Sequence, residues 1–431
     1  MPAPAAPTVR PAPPLTTRGL PWHRPVDDAV AEIAAARREC GDTFALVADA
    51  ERYLFTFSPV GVASFYALRE EEASKGVADW SMLRRKLPDR IFADRRTLPG
   101  TLFRRDDVAG YLTALEAALD HTEAELEGAG TVDAFALTRR LGHRLGLACW
   151  AGEAATRGAV FDRLVACFDA LDGADAFVHP DAMAAVAASG RAAEEAALEE
   201  IVDLVAGLPV PADGRAGLFG RIRGAWDDAE PTARRTGVGL DVALLHVASM
   251  SNLHAALGWA LVDLLEHPDE AARVAPGDAG LAARAALEST RLAQRSIMAR
   301  TVLAPIELDD GTTRWQVPPG WTVATLLPLL ADGLPADQAA ELAAWRPQRW
   351  DRHRVASPTL ADPQLVTAFG HGRHTCPAQP FALTAMATSL VRLLGAHDLE
   401  PGWTARPRPV PAQIGGVART LDAAPIHHRH R

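Results

Sequence analysis

The residue types best suited to chemistry are gathered in one stretch, Phe369-Gly370-His371-Gly372-Arg373-His374-Thr375-Cys376. It ends in a cysteine. The segment that follows, Pro377 to about His397, carries apolar residues at helical spacing, among them Phe381, Leu383, Ala387, Leu390, Leu393 and Leu394. Cys376 therefore precedes a helix N-terminus, where free backbone N–H groups and the helix dipole favour negative charge. Arg373 and His374 add positive charge beside it. Together these features predict a thiol with a lowered pKa. Gly370 and Gly372 let the backbone turn tightly against something flat or bulky. A thiolate presented in this way suits one axial position of a haem iron. Read in isolation, the loop also fits a cysteine that merely packs in a core, or a zinc site of His371, His374 and Cys376 that lacks an evident fourth ligand.

A second constellation lies upstream. Glu288 and Arg291 stand three residues apart on a segment, Leu281 to Arg295, with helical spacing, so both side chains share one face. Trp345-Arg346-Pro347-Gln348-Arg349-Trp350 follows, with Arg349 available to join them. Buried charges of this kind are tolerable only when mutually paired. The role expected of Glu288, Arg291 and Arg349 is therefore to lock the structure around the cysteine loop, not to react.

These residues resemble the signatures of the cytochrome P450 family. Phe369, Gly372 and Cys376 match its Phe-x-x-Gly-x-x-x-Cys-x-Gly loop, with Ala378 in place of the last glycine. Glu288-x-x-Arg291 matches the family's Glu-x-x-Arg, and the segment 345–350 resembles its Pro-Glu-Arg-Phe. The resemblance covers roughly residues 40 to 425. It implies a mainly α, single large domain with small β-sheets, and haem b held between a long central helix and the cysteine loop. Cys376 would be the iron's axial ligand, in a loop that includes Phe369, Gly370 and Gly372. Arg300 and His374 would pair with the haem propionates. Trp80-x-x-x-Arg84 also matches a family motif literally, but the ordinary amphipathic helix is the preferred reading there.

The central helix of this resemblance runs from about Gly239 to Glu266. Where the family carries an acid and an alcohol that deliver protons to bound dioxygen, this chain has Ser251 and Asn252. Neither titrates near neutral pH. Two enzymatic readings follow. One is conversion of a pre-oxidised small organic substrate with a weak O–O or N–O bond, which the loss of both relay residues favours. The other is a dioxygen-dependent monooxygenase fed by ferredoxin, ferredoxin reductase and NAD(P)H. A non-catalytic haem sensor or carrier is a third. His246 and His254 share the helix and read as core residues, with His254 near the cavity.

The rest of the 431-residue chain sets bounds. A net charge of -10 argues against a nucleic-acid partner. Cys40, Cys149, Cys167 and Cys376 are scattered, as in a reducing cytoplasm. The apolar run Val242 to Leu265 is interrupted by His246, Ser249, Ser251, Asn252, His254 and Asp263, so a buried helix is expected and not a membrane span. Residues 1–22 read as a flexible Pro/Ala-rich arm without a signal peptide, 23–426 as the domain and 427–431 as a solvated basic tail. A cytoplasmic monomer is the expectation. Among shorter elements, Thr43 to Phe57 reads as a hairpin turning near Ala50-Glu51, with Ser58-Pro59 opening a helix.

Overall fold

The computed structural model describes every residue except 1–7, 49, 98–101, 103, 105–106, 174–178, 210–216, 352–359 and 361. In chain order the helices are α1 (Ala29–Cys40), α2 (Pro59–Ala67), α3 (Lys75–Leu83), α4 (Val108–Glu125), α5 (Ala134–Trp150), α6 (Gly158–Leu171) and α7 (Pro180–Ala188). They continue with α8 (Ala192–Ala206), α9 (Gly217–Gly224), α10 (Pro231–Glu266), α11 (Pro268–Val274), α12 (Ala279–Ala293), α13 (Ala336–Ala343) and α14 (Gln379–Ala396). The strands are β1 (Leu15–Thr16), β2 (Thr43–Ala48), β3 (Glu51–Thr56), β4 (Ala73–Ser74), β5 (Ala129–Asp133) and β6 (Ile297–Val302). After them come β7 (Ile306–Asp309), β8 (Arg314–Val317), β9 (Thr322–Leu326), β10 (His397–Pro401) and β11 (Pro425–His430).

Two cores divide the molecule. The larger is helical and forms around α10, against which α5, α8 and α12 pack. The smaller lies under a six-stranded sheet of order β1-β2-β3-β9-β6-β4. β2 and β3 form the expected hairpin, and Phe44, Phe55 and Phe57 stack along its buried face at centroid distances of 5.5 to 6.1 Å. Ser58 caps α2, its Oγ accepting from Gly61 N–H at 2.9 Å.

The central helix is longer than its apolar pattern. It begins at Pro231, a favoured first position because proline's missing N–H has no helical partner there. It ends where Pro268 bars the preceding residue from helical geometry. No helix among the described residues is long and apolar enough to cross a membrane.

Both ends of the chain depart from the sequence reading. From residue 8 the expected arm is packed: Val9, Leu20 and Trp22 are buried, and β1 pairs in parallel with β2. Burial of these apolar side chains offsets the entropy of ordering the segment. At the other end, the expected solvated tail belongs to β11, which lies between β10 and β5 in an antiparallel sheet. Its backbone is bonded on both sides, while the basic side chains of His427, Arg429 and His430 stay outside.

Candidate functional site

The cysteine loop is a chain of tight turns. Gly370 N–H donates to Thr367 O at 2.8 Å, Thr375 N–H to Gly372 O at 3.2 Å and Cys376 N–H to Phe369 O at 2.7 Å. Gly370 has φ 75°, and a Cβ there would stand 2.5 Å from His374 O, so only glycine fits. Ala378, where the family signature has glycine, sits at φ −88° and ψ 3°, a conformation that alanine adopts freely. The missing glycine therefore brings no backbone strain.

The backbone N–H groups of Ala378 and Gln379, at the mouth of α14, favour negative charge on the Cys376 sulfur, and Gln379 N–H donates to Cys376 O at 3.1 Å. One expectation is reversed here. Burial pushes the free thiol's pKa up, and the two N–H groups and Lys75 offset only part of that. The helix end thus favours the thiolate less than desolvation disfavours it. Of the alternatives for this loop, a protein-only metal cluster finds no support: among the described residues no three His, Cys, Asp or Glu side chains converge to hold an ion.

Arg300 and His374 do come together. Arg300, on β6, is 1% exposed. Its Nη1 donates to Leu68 O at 3.1 Å and Ala73 O at 3.3 Å, and its guanidinium lies 5.0 Å from the Phe65 ring centroid. His374 Nε2 lies 3.4 Å from the same Leu68 carbonyl, with Nδ1 3.7 Å from Glu70 Oε2. Burial lowers the pKa of both groups, and the Arg300 charge adds to the effect on His374. Arg300 Nε is buried with no hydrogen-bond partner, and among the described residues no carboxylate is within ion-pair distance of it. A buried guanidinium lacking a counter-anion is costly. It fits a site completed by an anionic group such as a haem propionate, beside the loop that carries His374 and Cys376. Trp80 is 40% exposed, and Arg84 stacks on it at 4.4 Å and reaches Asp89 at 3.4 Å. The ordinary amphipathic helix stands.

Arg300→Leu is expected to loosen haem rather than unfold the chain. Charge-assisted hydrogen bonds contribute about 1.5–3 kcal/mol each, so haem loss to an apo-globin acceptor is expected to quicken by about tenfold to a hundredfold. An unchanged loss rate would remove Arg300 from the site.

The Glu288 network forms as expected. Glu288 is fully buried and accepts from Arg291 Nε at 3.0 Å and Nη2 at 2.8 Å, and from Arg349 Nε at 3.1 Å. Two partners were not foreseen: Trp350 Nε1 at 2.9 Å and the backbone N–H of Arg346 at 3.2 Å. The motif's terminal aromatic thus serves as an indole donor.

Ser251 and Asn252 lie mid-helix on α10, and neither is free. Asn252 Oδ1 accepts the Val417 N–H at 2.9 Å. A Cβ at Gly416 would stand 2.2 Å from that oxygen, so the residue must be glycine, and its φ is 62°. Ser251 Oγ donates to Asp172 Oδ1 at 2.9 Å, and Asp172 is ion-paired with Arg419. Asp172 and Arg419 are functional candidates that the sequence did not offer. His246 is buried as expected, accepting from Trp150 Nε1 at 3.1 Å and lying 2.8 Å from His143 Nδ1.

Comparisons with known proteins agree with this architecture. No family model matches the chain. Among curated sequences, 58 residues are 41% identical to the cytochrome P450 monooxygenase aneD of Aspergillus aculeatus, covering 13% of this chain and 10% of that one. A further 176 residues are 25% identical to human 24-hydroxycholesterol 7-alpha-hydroxylase, covering 36% of each protein. The matched segments therefore span well under two thirds of either relative. Among solved structures, CYP175A1 of Thermus thermophilus superposes with a TM-score of 0.65 at 21% identity, over 93% of this chain and 94% of that one. Retinoic acid bound cyanobacterial CYP120A1 superposes with a TM-score of 0.72 at 16% identity, over 97% and 99%. The fold is that of the cytochromes P450, helix-rich with small sheets. The signature residues resemble that family's, and the matched Aspergillus aculeatus protein bears its name.

Proposed function

We propose that this protein is a haem-thiolate monooxygenase-type enzyme acting on a small organic substrate, with haem b bound through Cys376. The observation that carries the reading is the pairing of a sulfur cradled by two backbone N–H groups with a buried, incompletely partnered Arg300 beside His374. When bound, the haem would supply dioxygen chemistry, its iron tuned by the thiolate. The chain's own share is to hold and to shield. Ala378 and Gln379 N–H stabilise charge on the sulfur, Arg300 and His374 would pair with the propionates, and the Glu288 network fixes the elements behind the loop.

Monooxygenation takes up one dioxygen, two electrons and two protons and releases water with the oxygenated product. The Ser251–Asp172 contact supports this reading, because it returns a carboxylate to a hydroxyl on the central helix. A ferredoxin with its reductase is the electron source the reading calls for. Conversion of a substrate with a weak O–O or N–O bond is the second reading. It is favoured by Asn252, whose amide oxygen is committed to Val417. The two separate on omission of reductant. Product formation that depends strictly on the ferredoxin system is the expected result; full turnover of a peroxide-containing substrate without electrons would establish the second reading.

A further inference from the structure

A cleft of about 360 Å³ lies beside the C-terminal end of α10, and no residue of the cysteine loop lines it. That volume is within the range of small-molecule sites. Trp259 and Asp263, one turn apart on α10, both line the cleft. So do His267, which follows α10, and Trp345, whose rings stack at 4.2 Å between centroids and 29° between planes. These rings are held from behind. His267 Nδ1 donates to Asp263 O at 2.7 Å, Trp345 Nε1 to Ser289 Oγ at 3.0 Å and Trp259 Nε1 to Ala418 O at 2.7 Å. The cleft is thus walled by aromatic groups whose orientation is fixed before anything binds, which lowers the entropy lost on binding.

The charge beside these walls is unbalanced. Asp263 is 1% exposed. Its Oδ1 pairs with Arg406 Nη1 at 2.6 Å, while Oδ2 is buried with no hydrogen-bond partner. Arg406 Nη1 also pairs with Glu266, so two carboxylates share one guanidinium. Burial raises the pKa of Asp263; Arg406 and Ser289 offset part of the shift, and Glu266 adds to it. The carbonyl end of α10 contributes further negative potential. The Arg406 guanidinium lies 5.7 Å from the Trp259 ring centroid, so one cation already rests beside an indole here. A clamp holding the Arg406 segment onto α10 would need only one carboxylate. It explains neither the second acid nor a stacked pair of rings along the cleft, and a buried carboxylate oxygen without a donor is costly.

We propose that this cleft is a second small-molecule site, separate from the haem site, that takes a flat aromatic cation such as an amidine or guanidine. Its ring packs against the His267–Trp345 pair, and its positive charge balances Asp263 and Glu266. Arg406, 41% exposed at the side chain, is the group that yields to admit it. The inference goes beyond the haem reaction and does not depend on which reaction that is.

Benzamidine is the test ligand, with benzoate as an anion of like shape. Calorimetric titration of the haem-bound wild-type protein with benzamidine is expected to give a dissociation constant of about 1 mM or lower. Benzoate is expected to bind at least about tenfold more weakly. Asp263→Asn keeps the side chain's size and leaves Arg406 its Glu266 partner; it is expected to weaken benzamidine about tenfold or more. Ala343, the last residue of α13, is an exposed lining residue, and Ala343→Trp is expected to block the cleft with the carboxylate untouched. This second variant carries the test if Asp263→Asn does not fold. Benzamidine affinity unchanged in Ala343→Trp, benzoate bound as tightly as benzamidine, or no heat of binding up to roughly 10 mM benzamidine overturns the proposal. A Soret shift that follows the binding curve and survives Ala343→Trp also overturns it, because the ligand is then at the haem.

Discussion

Cys376→Ala is expected to yield a protein whose reduced carbon monoxide complex lacks the red-shifted Soret band of a thiolate-ligated haem, with turnover lowered at least about a hundredfold. The loss is large because, among the described residues, no other cysteine or free histidine stands in the loop to take the sulfur's place. Cys40, Cys149 and Cys167 lie outside the loop, and burial raises the thiol pKa of Cys149 and Cys167 to about 12. His371 and His374 are nearby but engaged, the first edge-on to Tyr66 at 5.9 Å and the second at the Leu68 carbonyl. The backbone of the loop does not depend on the sulfur, since its turns are closed by N–H to C=O bonds. The variant should therefore fold, with a melting temperature for the haem-free chain close to that of wild type. Cys376→His is the informative companion: it offers a nitrogen ligand, so retained haem without the red shift would assign the spectral signature to the thiolate. A red-shifted band in Cys376→Ala would refute the ligand assignment outright.

The parts of this site that were legible in the sequence are those fixed by local geometry. Glu288 and Arg291 share a helical face by spacing alone, and Gly370 is dictated by a turn that closes within a few residues. The hairpin of β2 and β3 follows from alternation, and α2 from its cap. What escaped was set by distant pairing and by burial. Asp172 meets Ser251 and Arg419 across three separate parts of the chain, and nothing local to any of them announces it. The Cys376 pKa went the wrong way because sequence shows the helix end and the nearby cations but not the degree of desolvation. Residues 427–431 read as a charged tail because strand pairing is a property of the partner strands, here β10 and β5. The resemblance sets Asn252 at the position of the family's proton-relay alcohol; its oxygen meets the Val417 N–H, a partner on a segment 165 residues away.

Glu288→Ala is expected to be the most destabilising single change in the molecule. The carboxylate is fully buried and accepts from two guanidinium groups, an indole and a backbone N–H. Arg291 and Arg349 are 8% and 7% exposed at the side chain, so removing the anion leaves two cations in low dielectric. Arg349 retains Glu341 and the Glu341 and Ala344 carbonyls, whereas among the described residues Arg291 retains only the Leu342 carbonyl. Arg291 therefore bears most of the cost. Breaking a buried pair from one side costs about 3–5 kcal/mol, which for a chain of this size lowers the melting temperature by roughly 3–6 °C. Haem content on purification should fall with it, because the network packs α12 against the segment that carries Trp350. Glu288→Gln keeps a hydrogen-bond acceptor and the volume but not the charge, and should fall between the two. If Glu288→Ala melted within about 2 °C of wild type, the network would be an ornament of the fold and not its lock. A Glu288→Ala/Arg291→Leu double variant sharpens the reasoning: if the uncompensated Arg291 charge is what destabilises, removing it should recover part of the loss.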